Sequence, residues 1–293
     1  MQIPQAPPSQ NLGSLLSPIP LDAHKYTRGS LLVCAGSARF PGAAILAAKA
    51  AARAGAGYVT LAIPEPVVMV AQTHLLSIPV LAAPAANGVF AADAWEVIGA
   101  HTGHLDAIVL GPGLTVTPST SAFVQTILRE TGVPLLLDAD ALNILSALAQ
   151  QGFRPVTSNR ALLLTPHAGE LARLYEATGT SNPQQLAEAL QAIVVAKGPE
   201  THIVSTTRAH RSTAGTPALA KAGTGDVLAG VIGSFIAQSI APFEAALLGV
   251  ELHGRAGQLA EERLGRRAVC AEDLLETLPL ALSRLADFKV EYR

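Results

Sequence analysis

The segment Lys221-Ala222-Gly223-Thr224-Gly225-Asp226-Val227-Leu228-Ala229-Gly230 sets two glycines around a threonine, then an aspartate, at the head of a long apolar run. Glycine lets a backbone take positive φ and approach a ligand closely. Residues 227–238 read as a buried helix, which puts the amides of residues 223–226 at its N-terminus. Free N–H groups and the positive end of the helix dipole suit a phosphate or a developing oxyanion. Asp226 stands within reach of whatever binds there. It reads either as a general base or as the cap of a helix that follows a tight turn.

Outward from that segment the chain repeats one pattern. Leu31-Leu32-Val33-Cys34-Ala35-Gly36 is a short apolar run ending in glycine, the mark of a strand buried on both faces. Pro41-Gly42 opens an alanine-rich helix over residues 43–54, stopped by Gly55 and Gly57. A strand over 58–63 follows. After a mixed segment, Ala107-Ile108-Val109-Leu110 runs into Gly111-Pro112-Gly113, and a helix covers 119–130. The strand over 134–137 ends in Asp138-Ala139-Asp140-Ala141-Leu142-Asn143. The strand over 161–164 ends in Thr165-Pro166-His167-Ala168-Gly169-Glu170, and a helix continues to Tyr175. Strands over 193–196, ending in Lys197-Gly198, and over 202–205 complete the series. Residues able to do chemistry stand just after strand ends. That is the pattern of a mostly parallel α/β sheet flanked by helices, with ligands at its carboxyl edge. No linker or composition shift divides the chain, so residues 24–293 read as one domain after an extended, proline-rich arm over residues 1–23.

Composition narrows the function classes. With 49% hydrophobic and 14% charged residues the chain can build a large core. The formal net charge is -2 and no run of Lys or Arg occurs, which argues against nucleic acid or an anionic membrane as partner. The apolar stretch 227–250 is interrupted by Gln238, Ser239, Pro242 and Glu244, so it reads as two core helices rather than a membrane span. Cys34 and Cys270 read as reduced core residues of a cytoplasmic protein, and no signal-peptide pattern opens the chain.

Several candidate sites compete. Neither a Walker phosphate loop nor a complete dinucleotide fingerprint is present, because Gly111-Pro112-Gly113 lacks the third glycine. His167, at a helix start on the ligand edge, is either structural or a substrate contact. Asp138 and Asp140, with Asn143, fit a metal or a ribose, and Asp140 fits equally as a helix cap. Lys197-Gly198 fits either a phosphate site or an exposed strand end. No Cys or His pair has metal-ligand spacing, so no protein-bound metal is expected.

Taken in order, these motifs carry a resemblance. Ala222-Gly223-Thr224-Gly225-Asp226 resembles the anion-hole motif of the ribokinase-like superfamily, and within it the ADP/ATP-dependent NAD(P)H-hydrate dehydratases. His24-Lys25, residues 31–36, Gly42-Ala43-Ala44-Ile45-Leu46-Ala47-Ala48-Lys49-Ala50 and Gly55-Ala56-Gly57-Tyr58-Val59-Thr60-Leu61 look like the N-terminal signature of that family. Gly111-Pro112-Gly113-Leu114, residues 137–143, residues 164–170 and Ala196-Lys197-Gly198 continue it in the family's order, so the similarity runs from about His24 to the end. The resemblance implies a three-layer ribokinase-like fold. It also implies repair of hydrated NADH or NADPH by phosphorylation of the new hydroxyl and elimination of phosphate. ADP or ATP is the implied donor, with Mg2+.

Carried over by residue, Asp226 matches the base, and Gly223, Thr224 and Gly225 match the anion hole, with Gly225 also near the nucleotide. Lys197, Gly198, Pro199, Glu200 and Thr201 match the nucleotide loop. Gly113, His167 and one of Ala43 and Ala44 match contacts to the hydrated cofactor. A homotetramer is also implied. With about twenty residues before His24, a fused epimerase domain is not expected, so a separate NAD(P)HX epimerase would act alongside. The chain departs from the family at Ala168, where proline is usual, at Tyr26-Thr27-Arg28-Gly29, and at Ser212-Thr213-Ala214-Gly215-Thr216-Pro217, which lacks the usual asparagines. The rival readings are a ribokinase-like small-molecule kinase, for instance of a vitamin precursor, and a non-catalytic nucleotide-binding protein.

Overall fold

The computed structural model describes residues 10–16, 18–157, 159–285 and 289–290. Nine strands form the main sheet: β1 Ser30–Cys34, β2 Tyr58–Pro64, β3 Val80–Ala83, β4 Ala107–Leu110, β5 Leu135–Leu137, β6 Leu162–Leu164, β7 Ile193–Ala196, β8 Thr201–Val204 and β9 Ala209–Ser212. Their order across the sheet is β9-β8-β7-β6-β5-β4-β1-β2-β3. All pairs from β3 to β7 are parallel, and the β7–β8 and β8–β9 pairs are antiparallel. The chain leaves β1 in one direction and returns at β4 on its other side, so a crevice opens at the carboxyl ends of β1 and β4.

The apolar runs behave as the two-sided burial of parallel strands requires. Leu31 and Val33 enter one core while Leu32 and Cys34 enter the other. The first core lies under α1 Pro41–Arg53, α6 Thr224–Ala237, α7 Pro242–Leu264 and α8 Ala271–Ser283. The second lies under α2 Pro118–Glu130, α3 Asp140–Gln150, α4 Ala168–Thr178 and α5 Pro183–Leu190. Proline occupies the first helical position of α1, α2, α5 and α7, where its missing N–H costs nothing. The expected three-layer α/β architecture is observed, and the stretch 227–250 is two core helices, α6 and the start of α7.

Within the first layer α1 and α6 pack backbone against backbone. A Cβ on Gly230 would stand 2.1 Å from the Ala47 carbonyl oxygen, so only glycine allows this approach. In the second layer Arg160, 8% exposed, donates through Nη1 and Nη2 to the carbonyls of Ile127, Leu128 and Thr131 at the end of α2.

Four expectations need amendment. β3 lies within the stretch read only as a mixed segment, and β9 was not anticipated. The strand expected over 202–205 runs from Thr201 to Val204 and turns into β9. Part of the arm expected over 1–23 is packed: Leu12–Leu15 forms a 3₁₀ turn with Leu12 fully buried, and residues 10–11 pair with 289–290. Residues 1–9 of that arm lie outside the described residues. Cys34 is buried, but Cys270 is exposed, because it precedes α8 at the surface instead of joining the core.

Candidate active site

The start of α6 is built from below. Gly223 takes φ 90° and opens the helix without a side-chain cap. A Cβ there would meet Ala271 Cβ and Leu46 Cδ1, each at 2.8 Å. Thr224 Oγ1 donates to the carbonyls of Leu219 and Lys221, at 2.8 and 2.9 Å. From α7, His253 Nε2 donates to the Thr224 carbonyl at 2.9 Å. Burial pushes the His253 imidazole down to about 4, against the pull of that carbonyl, so it is a neutral donor at neutral pH. The first intrahelical bond runs from Val227 N–H to the Gly223 carbonyl. The N–H groups of Thr224, Gly225 and Asp226 therefore have no acceptor among the described residues. They form an anion-ready helix start.

Asp226 is the third residue of α6, yet its carboxylate makes no hydrogen bond and no ion pair among the described residues. Of the two readings offered by the sequence, the cap is not what the structure forms. Burial raises the Asp226 carboxyl to about 7; Asp138, Asp140 and Glu170 add to the rise and Lys197 opposes it. A carboxyl that titrates near neutrality is matched to proton transfer.

The facing wall comes from the ends of β5, β6 and β7. Asp138 is 1% exposed, and its Oδ1 accepts from Lys197 Nζ at 2.8 Å and from Thr165 Oγ1 at 2.7 Å. Lys197 Nζ stands 3.3 Å from where a Cβ on Gly225 would be, so the cation lies against the α6 start. Burial works to lower the Lys197 pKa, but Asp138, Glu170 and Asp226 outweigh it and hold the ammonium charged. Asp140 accepts from the Thr115 N–H at 2.9 Å and from Asn143, whose amide oxygen in turn accepts from Arg173. Asp138, Asp140 and Asn143 are thus engaged with the protein itself. Asp140 does not cap α3, because Ala139 holds the N-cap position. No cluster of three or more His, Cys, Asp or Glu fit for a metal exists among the described residues.

His167 is the N-cap of α4. Its Nδ1 accepts from the N–H of Gly169 at 3.0 Å and of Glu170 at 3.4 Å, while Glu170 Oε2 accepts from the His167 N–H at 2.8 Å. An accepting Nδ1 leaves the proton on Nε2, which lies 3.3 Å from Glu170 Oε1. Burial, Lys197 and Arg173 lower the His167 pKa, so the ring is a neutral cap whose side chain remains more than half exposed to solvent. Burial raises Glu170 to about 7, with Lys197 pulling the other way.

On the far side of the crevice a Cβ on Gly113 would stand 3.0 Å from Ala43 Cβ, so these two residues adjoin. Ala44 is fully buried, which leaves Ala43 as the member of the pair that can touch a ligand. Gly198, Pro199 and Glu200 form the exposed turn between β7 and β8; Glu200 pairs with Arg211 at 3.1 Å, and Thr201 opens β8. Glu170 and His253 had gone unassigned in the sequence. The three-residue step from His167 to Glu170 has the spacing of a reciprocal cap and could have drawn notice, whereas nothing local ties His253 to Thr224.

An α/β sheet of the ribokinase-like fold thus sets a helix start free to take an anion, a neutral-range carboxyl beside it and a largely buried cation opposite, an arrangement suited to stabilising a moving phosphoryl group. Comparison with known proteins gives the family. The model of the NAD(P)H-hydrate dehydratase family matches residues 31–280, and the chain belongs to that family. An ADP-dependent (S)-NAD(P)H-hydrate dehydratase of Xanthomonas campestris is 33% identical over 279 residues, covering 89% of this chain and 90% of that protein. A bifunctional NAD(P)H-hydrate repair enzyme, Nnr, of Salinibacter ruber is 37% identical over 270 residues, 88% of this chain and 49% of that protein. The chain spans about half the length of such bifunctional relatives. The structure of ADP/ATP-dependent NAD(P)H-hydrate dehydratase from Bacillus subtilis, co-crystallized with ATP/Mg2+, aligns with a TM-score of 0.80 at 28% identity, covering 94% of this chain and 96% of that one.

Proposed function

We propose that the chain dehydrates (6S)-NADHX and NADPHX to NADH and NADPH with ADP or ATP as phosphoryl donor. The observation that carries this reading is the Asp226 carboxylate beside three amides at the start of α6, none of them hydrogen-bonded among the described residues. Asp226 takes the proton of the substrate hydroxyl as its oxygen bonds to the terminal phosphorus of the donor, and AMP or ADP leaves. The amides of Thr224, Gly225 and Asp226, with Lys197, hold the charge of the moving phosphoryl group. The ring nitrogen then expels phosphate from C6, and loss of a C5 proton restores the ring double bond. Gly113, Ala43 and His167 line the side taken by the hydrated cofactor. Lys197, Gly198, Pro199, Glu200 and Thr201 take the nucleotide side.

Mg2+ suits this site as a companion of the nucleotide. Such an ion is held by phosphate oxygens, water and one or two carboxylates, and would add charge stabilisation at the moving phosphoryl group. The bifunctional relatives support a functional link to an NAD(P)HX epimerase. A cytoplasmic location and a homo-oligomeric state belong to the same proposal. No helix among the described residues is long and apolar enough to cross a membrane.

The test offers hydrated cofactor with ADP, with ATP and with neither. Appearance of the near-ultraviolet absorbance of reduced nicotinamide, matched by AMP or ADP and phosphate, is expected only with a donor. A phosphorylated product that persists without that absorbance points to the kinase reading. Nucleotide binding without any turnover points to an inert binding protein.

A further inference from the structure

Three carboxylates compete for the single ammonium of Lys197. Asp138, Glu170 and Asp226 all attract it, yet among the described residues only Asp138 forms an ion pair with it within 4.0 Å. The choice is built into the backbone and the core. Asp138 is 1% exposed at the end of β5, and the same Oδ1 that binds Lys197 is pinned by the Thr165 hydroxyl at the end of β6. Thr165 is itself 1% exposed and its N–H donates to the Leu137 carbonyl. Glu170 is occupied in capping α4. Ala139, between Asp138 and Asp140, holds φ at 49°, a positive value costly for alanine. The turn it makes sends Asp138 to Lys197 and Asp140 to the Thr115 amide.

We propose that Asp138 is a positioning residue for the reaction: it holds the Lys197 ammonium off Asp226, so that the Asp226 carboxylate stays free to take the substrate proton. The inference rests on Asp226 being the base and deepens that reading. Without Asp138, Lys197 would lose its anchor and turn to the nearest remaining carboxylates. An Asp226 locked in an ion pair is both occupied and a weaker base. The charged and titratable groups around Asp226 are Asp138 and Asp140 after β5, Glu170 on α4 and Lys197 after β7. His253 on α7 is buried and neutral beneath the same turn.

Asp138→Asn removes the anchor while keeping its size. Both the lost negative charge and the closer ammonium favour ionised Asp226, so the acid limb of turnover against pH should move down by about one unit or more. The plateau above that limb should fall about tenfold or more, because the base is paired. A direct charge effect alone would move the limb and leave the plateau. In Lys197→Met the acid limb should move up, since the opposing cation is gone. Adding Asp138→Asn to Lys197→Met should cost little further plateau activity, because the effect of Asp138 passes through Lys197. Additive plateau losses, or a folded Asp138→Asn enzyme with an unmoved limb, would overturn the proposal.

If Asp138→Asn does not fold, Thr165→Val, which strips one of the two bonds on Asp138 Oδ1, should give a smaller shift in the same direction. An unmoved limb there is equally fatal. Carbon-detected magnetic-resonance titration of the Asp226 carboxyl in the same variants reads the shift without turnover. A wild type inert towards hydrated cofactor would therefore overturn the proposed function and still leave this inference to be decided.

Discussion

At the scale of single residues the decisive contrast is between Asp226 and Asp138. Both are acids at the sheet's carboxyl edge; among the described residues Asp226 makes no hydrogen bond or ion pair and Asp138 accepts two bonds. Asp226→Asn separates proton transfer from every structural duty the residue could have. Asparagine has nearly the same shape and caps a helix as well as aspartate does. Turnover should drop by about two orders of magnitude or more, with folding and nucleotide affinity kept. Turnover within a few-fold of wild type, in a variant whose circular dichroism is unchanged, would remove Asp226 as the base. How much of this was readable in advance depends on sequence distance. Gly-Thr-Gly-Asp is contiguous, so its amides and its carboxylate were visible together. Asp138 and Lys197 lie 59 positions apart, and their pairing is a product of strand order, which no local pattern encodes. The exposed His167 ring was read as either structural or a substrate contact, and its Nδ1 shows the structural duty plainly.

Among elements, the strands that the sequence hid are the two at the edges of the sheet. β3 is only partly buried over most of its length, and β9 alternates buried and exposed residues, including Arg211. β9 therefore lacks the continuous apolar run that betrays β1 or β4, whereas β3 is apolar throughout, Val80-Leu81-Ala82-Ala83, but short and bounded by Pro79 and Pro84, so it passes for part of the mixed segment. Helix ends were legible where proline or glycine marked them and hidden where a distant side chain did the work. Arg160 serves the end of α2 from 29 residues beyond Thr131. Arg160→Met should lower stability by about 2–4 kcal/mol, since buried carbonyls lose their donor. Equilibrium urea unfolding measures it, and a loss under half that range would demote the cap.

The α1–α6 contact supplies a second test. Alanine is the better helix former by about 1 kcal/mol, but a methyl group 2.1 Å from the Ala47 oxygen forces the helices apart. Gly230→Ala should therefore come out destabilised by about 1–3 kcal/mol net. An unchanged or raised melting temperature would show that the contact is looser than it looks.

For the whole molecule, pH is where the buried charges meet. Asp226 and Glu170 titrate near 7 in the folded state and near about 4 unfolded. Between those values the folded state binds more protons, so their favourable contribution is complete below pH 4 and is lost as pH rises through 7. His253 runs the other way. Its folded value near 4 lies below the unfolded one of 6.5, so stability is lost as pH falls from 6.5 through 4. The two slopes oppose each other in the wild type. In Glu170→Gln/Asp226→Asn the histidine is left unopposed, and stability should climb from pH 4 to 6.5 more steeply than in wild type. Urea midpoints across that range decide it; parallel curves would mean that the carboxylates are not perturbed as described.

The bare backbone contact of Gly230 with Ala47 has one more consequence, for how the two ligands would sense each other. Where Gly230 meets Ala47, the helix that carries Ala43 and the helix that follows Gly223 touch through backbone, with no side chain between them that could change rotamer. A rotamer change cannot pass between the helices at that point, so they move there as one body. Charge offers a second route between hydrated cofactor and nucleotide, through Asp226 and Lys197, and the part of any cooperativity that it carries should fade as salt and pH screen or neutralise those groups.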